Sequence, residues 1–225
     1  MDIREAIRTN GAVRSFTDEV VADATVFDIL DDARFAPSGG NRQGWRVAIV
    51  KDAALRLELA ALMRPVWDEY VELSRSGRTP FTVVEPAEYR LASTNPKQPP
   101  NALLDDIVSI PVVLVVAADL RRIAMMDKDL DRPPITGGAS IYPFCWSILL
   151  AARARGLGGV MTTFLSRAEP AAGAALGLPP DHGLATTIFL GHPVHQPTKL
   201  RRGEVAEFTT IDRFDGPPFT GETPG

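Results

Sequence analysis

The sequence predicts a single domain that mixes helices with strands, and three observations predict it. Apolar residues recur at helical spacing over 23–33 and 52–73, with a third, more apolar helical stretch over 140–155. A valine-rich run over 111–118 is nearly continuous, as a strand covered on both faces is, and the shorter apolar run over 47–50 is also strand-like. The 225 residues suffice for one substantial core. Charged residues make up 23% and the net charge is −4, with Arg and Lys scattered, so the sequence predicts no nucleic-acid partner and no anionic lipid surface. The opening Met1-Asp-Ile-Arg4 lacks a signal-peptide core, and no window is apolar for the length a membrane helix needs, so a cytoplasmic protein without a membrane partner is expected. A single cysteine, Cys145, excludes an intrachain disulfide and sits in an apolar helix as a buried, inert thiol.

The elements follow in chain order. Residues 2–9 read as a short helix that Asn10-Gly11 stops. Asp23 caps the next helix, which carries Val26, Ile29, Leu30 and Ala33 on one face. Pro37 ends it and opens the stretch Ala36-Pro-Ser-Gly-Gly-Asn-Arg-Gln-Gly-Trp45, which leads into a strand over 45–50. Taken by itself this stretch is a polar connection between helix and strand. The same residues also suit a planar, polar-edged ligand: Gly39 and Gly40 allow close backbone approach, and Ser38, Asn41 and Gln43 bring short polar side chains.

The helix over 52–73 buries Leu55, Leu59, Leu62 and Met63, and Pro65 is expected to divide it. Periodicity then fails over 74–101, where Pro80, Pro86, Pro96, Pro99 and Pro100 accumulate beside Phe81 and Tyr89; so long an irregular segment is a lid or an excursion. A central strand over 111–118 and a helix over 140–155 buried on every side come next. Strands over 156–164 and 184–190 flank a short helix over 167–176. The tail, 199–225, has little core of its own and either frays or lies across a second subunit.

Several motifs fail, and each failure weighs against a class of chemistry, although acyl transfer at Ser38 stays open without support. Gly156-Leu-Gly-Gly159 precedes a strand, whereas a dinucleotide fingerprint follows one. Asp127, Asp129 and Asp131 alternate as in a calcium loop, but Arg132 stands where glycine is needed and Gly138 where the bidentate Glu belongs, leaving a solvated acidic turn. His192 and His195 lack further metal ligands nearby, so no metal is expected. Ser38 has no nucleophile-elbow pattern, and His182, His192 and His195 lie far downstream of it.

Five pieces in order resemble the FMN-dependent nitroreductase family, over about residues 3–214 with 74–101 unmatched. Ala12-Val-Arg14-Ser-Phe16 followed by Thr-Asp-Glu-Val is similar to the family's basic opening. Ala36 to Trp45 matches its Ala-Pro-Ser-x-x-Asn-x-Gln-x-Trp loop, the most specific of the five. Residues 140–158 resemble its central dimer helix, Gly159 to Phe164 the strand that passes the reactive face of the ring, and Leu190-Gly-His-Pro193 with Lys199-Leu-Arg201 its closing strand and basic pair.

The resemblance implies an α+β fold, a central mixed sheet flanked by helices, and an interlocked homodimer with FMN in two interfacial sites. Arg14, Lys199 and Arg201 would then come from one subunit and Pro37, Ser38, Gly39, Asn41 and Gln43 from the other. Phosphate favours localised cations and guanidinium, and a flavin edge favours short donors and bare amides. Arg14 would serve either the pyrimidine edge, stabilising the charge of a reduced flavin, or the phosphate. A backbone amide of Thr162 or Thr163 would meet the flavin nitrogen that receives hydride. The chain departs from the family at Asn10, Gly11 and Ala12, where two cations and a hydroxyl are missing, and Arg8, Arg42 or Arg202 would have to compensate. The implied activity moves hydride from NAD(P)H through flavin to a small electron-poor acceptor such as a nitroaromatic or quinone, with no catalytic side chain. The alternatives are another acceptor on the same fold (an enone, a halogenated phenol or flavin itself) and a flavin-binding protein without turnover.

Overall fold

The computed structural model describes residues 1–83 and 101–221. Much of the segment expected as a lid, residues 84–100 with Tyr89, therefore lies outside the described residues, as do 222–225. Four strands form one sheet in the order β1-β2-β4-β3, where β1 is Trp45–Ile49, β2 Val112–Asp119, β3 Gly158–Thr162 and β4 His182–Gly191. All three pairings are antiparallel, so among the described residues the sheet is not mixed as expected. The reason lies in the connections: β3 leaves the sheet at Thr162 and β4 returns level with it, Thr162 opposite Thr187, so the intervening helices make an enlarged hairpin, not a crossover.

β2 is buried along its whole length, and its side chains alternate between two cores. Val112, Leu114 and Val116 face helices α2 (Asp23–Ala33) and α5 (Tyr142–Ala154). Val113, Val115 and Ala117 face α3 (Ala53–Arg75), α4 (Ala102–Asp105), α6 (Phe164–Arg167) and α7 (Glu169–Leu176). The result is three layers. The first helix, α1 (Ile3–Thr9), is capped by Asp2, whose carboxylate accepts from the Glu5 amide at 2.9 Å.

Three local expectations are corrected. Asp23 is the first residue of α2 and caps nothing; its carboxylate pairs with Lys51 at 2.5 Å instead. Pro65 does not divide α3, because Leu59, Ala60, Met63 and Val66 pack the turns on both sides of it into the core and offset one lost helix bond. The helix α5 is not buried all round: Tyr142 and Trp146, four residues apart, emerge on one side at 43% and 38% exposure. Cys145 is fully buried, and burial pushes its thiol up to about 12, as an inert cysteine requires. No described helix is long and apolar enough to cross a membrane.

Candidate functional site

The N-terminal segment and the chain after β4 are laced together at one corner of the sheet. The Thr17 amide donates to the His192 carbonyl at 2.9 Å, the Val194 amide to Ser15 at 3.1 Å, and the Val13 amide to Gly159 on the β3 edge at 3.0 Å. The Gln196 side-chain amide donates to the carbonyls of Thr9 and Gly11 at 3.2 and 3.1 Å. Arg14, Lys199 and Arg201 thus come to one corner, all exposed. Gly11 explains part of the departure at Asn10 to Ala12. A Cβ there would sit 2.4 Å from the Pro197 carbonyl oxygen, so no cationic side chain fits without moving the backbone. Asn10 is buried, and its Nδ2 has no hydrogen-bond partner. Arg8 lies in the last turn of α1, and the Arg202 guanidinium donates to the Arg201 carbonyl at 2.6 Å.

Arg14 heads a cleft of about 160 Å³ between residues 14–18 and the segment that follows α4. Ser15, Thr17, Asp106, Ser109 and Ile110 line it with Arg14. Asp106 and Ser109 were not legible as site residues, because they lie in an unremarkable stretch between the proline-rich segment and β2 and reach Arg14 only through the fold.

The loop from Ala36 to Trp45 is compact and partly self-satisfied. Its Ser38 hydroxyl accepts the Gln43 amide at 3.0 Å, the Gln43 side-chain amide donates to Asn41 Oδ1 at 3.0 Å, and the Gly39 amide donates to the Ser140 hydroxyl at 3.1 Å. Gly40, Asn41 and Gln43 all have φ near +50° to +60°, so the chain curls and leaves Pro37, Gly39, Asn41 and Gln43 exposed. Ser140 was missed as a support because it is distant in sequence. At its far end the loop is pinned by the Asp119 amide, which donates to the Gly44 carbonyl at 2.7 Å. The Asp119 carboxylate is itself held at about 2 by its hydrogen bond to Arg121.

On β3 the structure separates the two threonines. Main-chain groups alternate sides along a strand. Gly159 turns its carbonyl outward to Val13, so Met161 also turns its carbonyl to the open edge, while Thr162, the last residue of β3, faces β4; Thr163 lies just past the strand, and its carbonyl accepts the Ser166 amide at 3.1 Å. The Thr162 carbonyl accepts from the Thr186 hydroxyl at 2.8 Å, and its own hydroxyl is buried without a partner. Thr163 is exposed.

Beyond β2 the chain folds into a loop that backs the Ala36 to Trp45 stretch, with the Arg122 guanidinium donating to the Arg42 carbonyl at 3.3 Å. The acidic turn within it is solvated only in part: Asp129 and Asp131 are exposed as expected, but Asp127 is 5% exposed, accepts from Arg132 at 2.7 Å and the Ile135 amide at 2.8 Å, and bonds the Thr136 hydroxyl. These partners, the Thr136 hydroxyl first, hold its carboxyl well below the ordinary carboxylate range. Because the folded value is depressed, the contribution is complete above the unfolded value near pH ~4 and is lost as pH falls through the folded one. Asp127→Asn is therefore expected to lower the urea midpoint at pH 7 and to flatten its decline below about pH 4. Parallel midpoint-against-pH curves for the two proteins would show that Asp127 contributes nothing. Among the described residues no group of three His, Cys, Asp or Glu is placed to hold a metal ion.

The two halves of the expected site lie apart. Trp45, where the loop ends, is level with Gly183, and Gly159, where the Arg14 segment docks, is level with Leu190. With β1 and β3 at opposite edges of the sheet, the halves occupy diagonal corners on the order of 25 Å apart.

Comparison with known proteins agrees with this architecture. A sequence profile of the nitroreductase family matches residues 7–192. The nitrobenzene nitroreductase of Ectopseudomonas oleovorans is 28% identical over 229 residues, covering 93% of this chain and 96% of that protein. Nitroreductase A from Vibrio parahaemolyticus superposes with a TM-score of 0.68 at 19% identity, covering 94% of this chain and 76% of that one. The NADPH:FMN oxidoreductase from Vibrio harveyi, solved with NAD+, gives 0.67 at 21% identity, with 94% and 77% covered. These two share the fold. The chain belongs to the nitroreductase family and is an oxidoreductase.

Proposed function

We propose that the chain is an FMN enzyme that draws hydride from NAD(P)H and passes electrons to an electron-poor aromatic or quinone, working as a homodimer with two interfacial sites. The observation that carries this reading is the diagonal placement of the two half-sites. Within one subunit the loop from Pro37 to Gln43 and the cations Arg14, Lys199 and Arg201 cannot share a ligand; a second copy set against the first can unite them. Exposed apolar residues supply the surface for such a copy: Ile3 and Ile7 on α1, Tyr142 and Trp146 on α5, and Phe208, Phe214 and Phe219 in the tail. The tail from residue 199 to 221 is then the segment that crosses to the partner.

The residues suit FMN. Lys199 and Arg201 are exposed cations for a phosphate, and Arg8 and Arg202 are exposed as well. The Asn10 amide is an unpartnered buried donor at the same corner. The Thr163 amide, just past β3 and pointing opposite to the Thr162 carbonyl that faces β4, is better placed than that of Thr162 to meet the flavin nitrogen. Asn41 and Gln43 bring side-chain amides from the partner's loop, and Gly39, whose own amide is held by Ser140, permits close approach for want of a side chain. The bound flavin would supply the hydride chemistry, and the chain's own task is to bind it, orient it and limit water. The neighbouring Vibrio harveyi protein acts on NADPH and FMN by name, and the Ectopseudomonas oleovorans relative on nitrobenzene.

The purified protein is expected to be yellow and to bleach anaerobically with NADPH or NADH. Steady-state plots with both substrates varied are expected to give parallel lines, since one pocket serves donor and acceptor in turn; intersecting lines would argue for a ternary complex. Yellow protein that neither nicotinamide bleaches would point to flavin binding without turnover. Colourless protein that added FMN does not restore would overturn the reading.

A further inference from the structure

We propose that Asp106 and Ser109 are flavin-positioning residues that take the imide edge of the pyrimidine ring in the cleft headed by Arg14. This rests on FMN being the cofactor, as proposed above. The cleft, about 160 Å³, has a lining of mixed sign: the Arg14 guanidinium, the carboxylates of Asp18 and Asp106, and the hydroxyls of Ser15, Thr17 and Ser109. FMN offers two polar ends, and they differ in what they need. The phosphate carries up to two negative charges and only accepts hydrogen bonds, so two carboxylates in the wall disfavour it. The pyrimidine edge alternates carbonyl acceptors with one N–H donor. Arg14 supplies donors for a carbonyl, and an ionised carboxylate is an acceptor-only group that suits the N–H. The mixture therefore fits the ring edge and leaves the phosphate to Lys199 and Arg201.

The two residues are also preorganised. Both the amide and the hydroxyl of Ser109 donate to the Asp106 carbonyl, at 2.9 and 2.8 Å, closing a tight turn after α4. Beneath that turn the buried guanidinium of Arg56 donates to the carbonyls of Ile107, Val108 and Ile110, at 3.4, 3.0 and 2.6 Å. Ligand contacts made from a turn already fixed cost little ordering on binding. Asp106 and Arg14 form no ion pair with each other among the described residues, so both remain open to a ligand.

The test compares FMN with 3-methyl-FMN, which lacks the imide N–H, by fluorescence titration of the full-length protein. Wild type is expected to bind FMN at least about tenfold more tightly than the methylated analogue. Asp106→Ala is expected to lose about tenfold in FMN affinity and to bind both flavins nearly alike. Asp106→Asn keeps an acceptor but removes the charge that opposes an anionic reduced ring. The ratio of reduced to oxidised FMN affinity should rise about tenfold, about +30 mV for a two-electron couple. Asp106 is exposed, so these substitutions leave the core intact. Asp105→Asn, one residue away but ion-paired outward to Arg64 at 2.5 Å, is expected to change none of these readings. FMN bound by Asp106→Ala with wild-type affinity and selectivity would overturn the inference alone. Wild-type protein that binds no FMN would overturn the cofactor reading and this inference with it.

Discussion

Alanine at both Lys199 and Arg201 is expected to weaken FMN binding by about a hundredfold. A charge-assisted hydrogen bond to a phosphate contributes about 1.5–3 kcal/mol, and both side chains are exposed, so solvent screening places each near the low end. Two such losses come to about 3 kcal/mol, or roughly two decades in Kd. The corner has little in reserve. Gly11 has no room for a side chain against Pro197, and Asn10 is neutral and buried. Arg8 and Arg202 remain, but the Arg202 guanidinium is engaged with the Arg201 carbonyl. Fluorescence titration across ionic strength checks the mechanism as well as the magnitude: wild-type affinity should fall with added salt, and that of the double variant should fall much less. A double variant with wild-type affinity and the same salt dependence would place the phosphate elsewhere.

What the sequence shows and what it hides divide along physical lines. The run over 111–118 is legible as a buried strand because alternate residues of β2 feed two cores, and only an apolar run satisfies both. The stretch from Ala36 to Trp45 is legible as a candidate site because glycine, proline and short polar residues crowd into ten positions. Its internal bonding was not legible, since Ser140 lies 101 residues from the Gly39 amide it holds. Asp127 misleads for the same reason. Its alternation with Asp129 and Asp131 suggests a solvated turn, but the chain returns at Ile135 and Thr136 to bury and satisfy only that carboxylate. Pro65 shows the opposite failure, a strong local signal overruled by packing on either side of it. The choice between Thr162 and Thr163 needed the strand register, because neighbouring peptides on one strand face opposite ways and composition carries no phase. Asp106 and Ser109 carry no local signal at all, being polar residues near a loop whose partners across the cleft are about ninety positions earlier.

Arg56 joins the stability of the fold to the geometry of the candidate site, and Arg56→Met is expected to lower unfolding free energy by about 3–5 kcal/mol. Arg56 is 7% exposed on α3, and all its hydrogen bonds run to backbone carbonyls: Val50 at the end of β1 at 2.8 Å, and Ile107, Val108 and Ile110 on the approach to β2. Burial lowers the pKa of this guanidinium, and the four carbonyl dipoles offset the loss of water around the charge. Methionine matches much of the volume but leaves those carbonyls without donors, a cost that falls on a total stability of only about 5–15 kcal/mol. Arg56→Lys should recover only part of the loss, because one ammonium cannot span from Val50 to Ile110 as the planar fork does. Urea unfolding checks this: the midpoint should fall in the order wild type, lysine, methionine, with the slope unchanged. The folded fraction of the methionine variant should also bind FMN more weakly, since the carbonyls it abandons belong to the turn that presents Asp106 and Ser109. A loss under about 1 kcal/mol would mean that the carbonyls find other donors, and that the turn needs no anchor from α3.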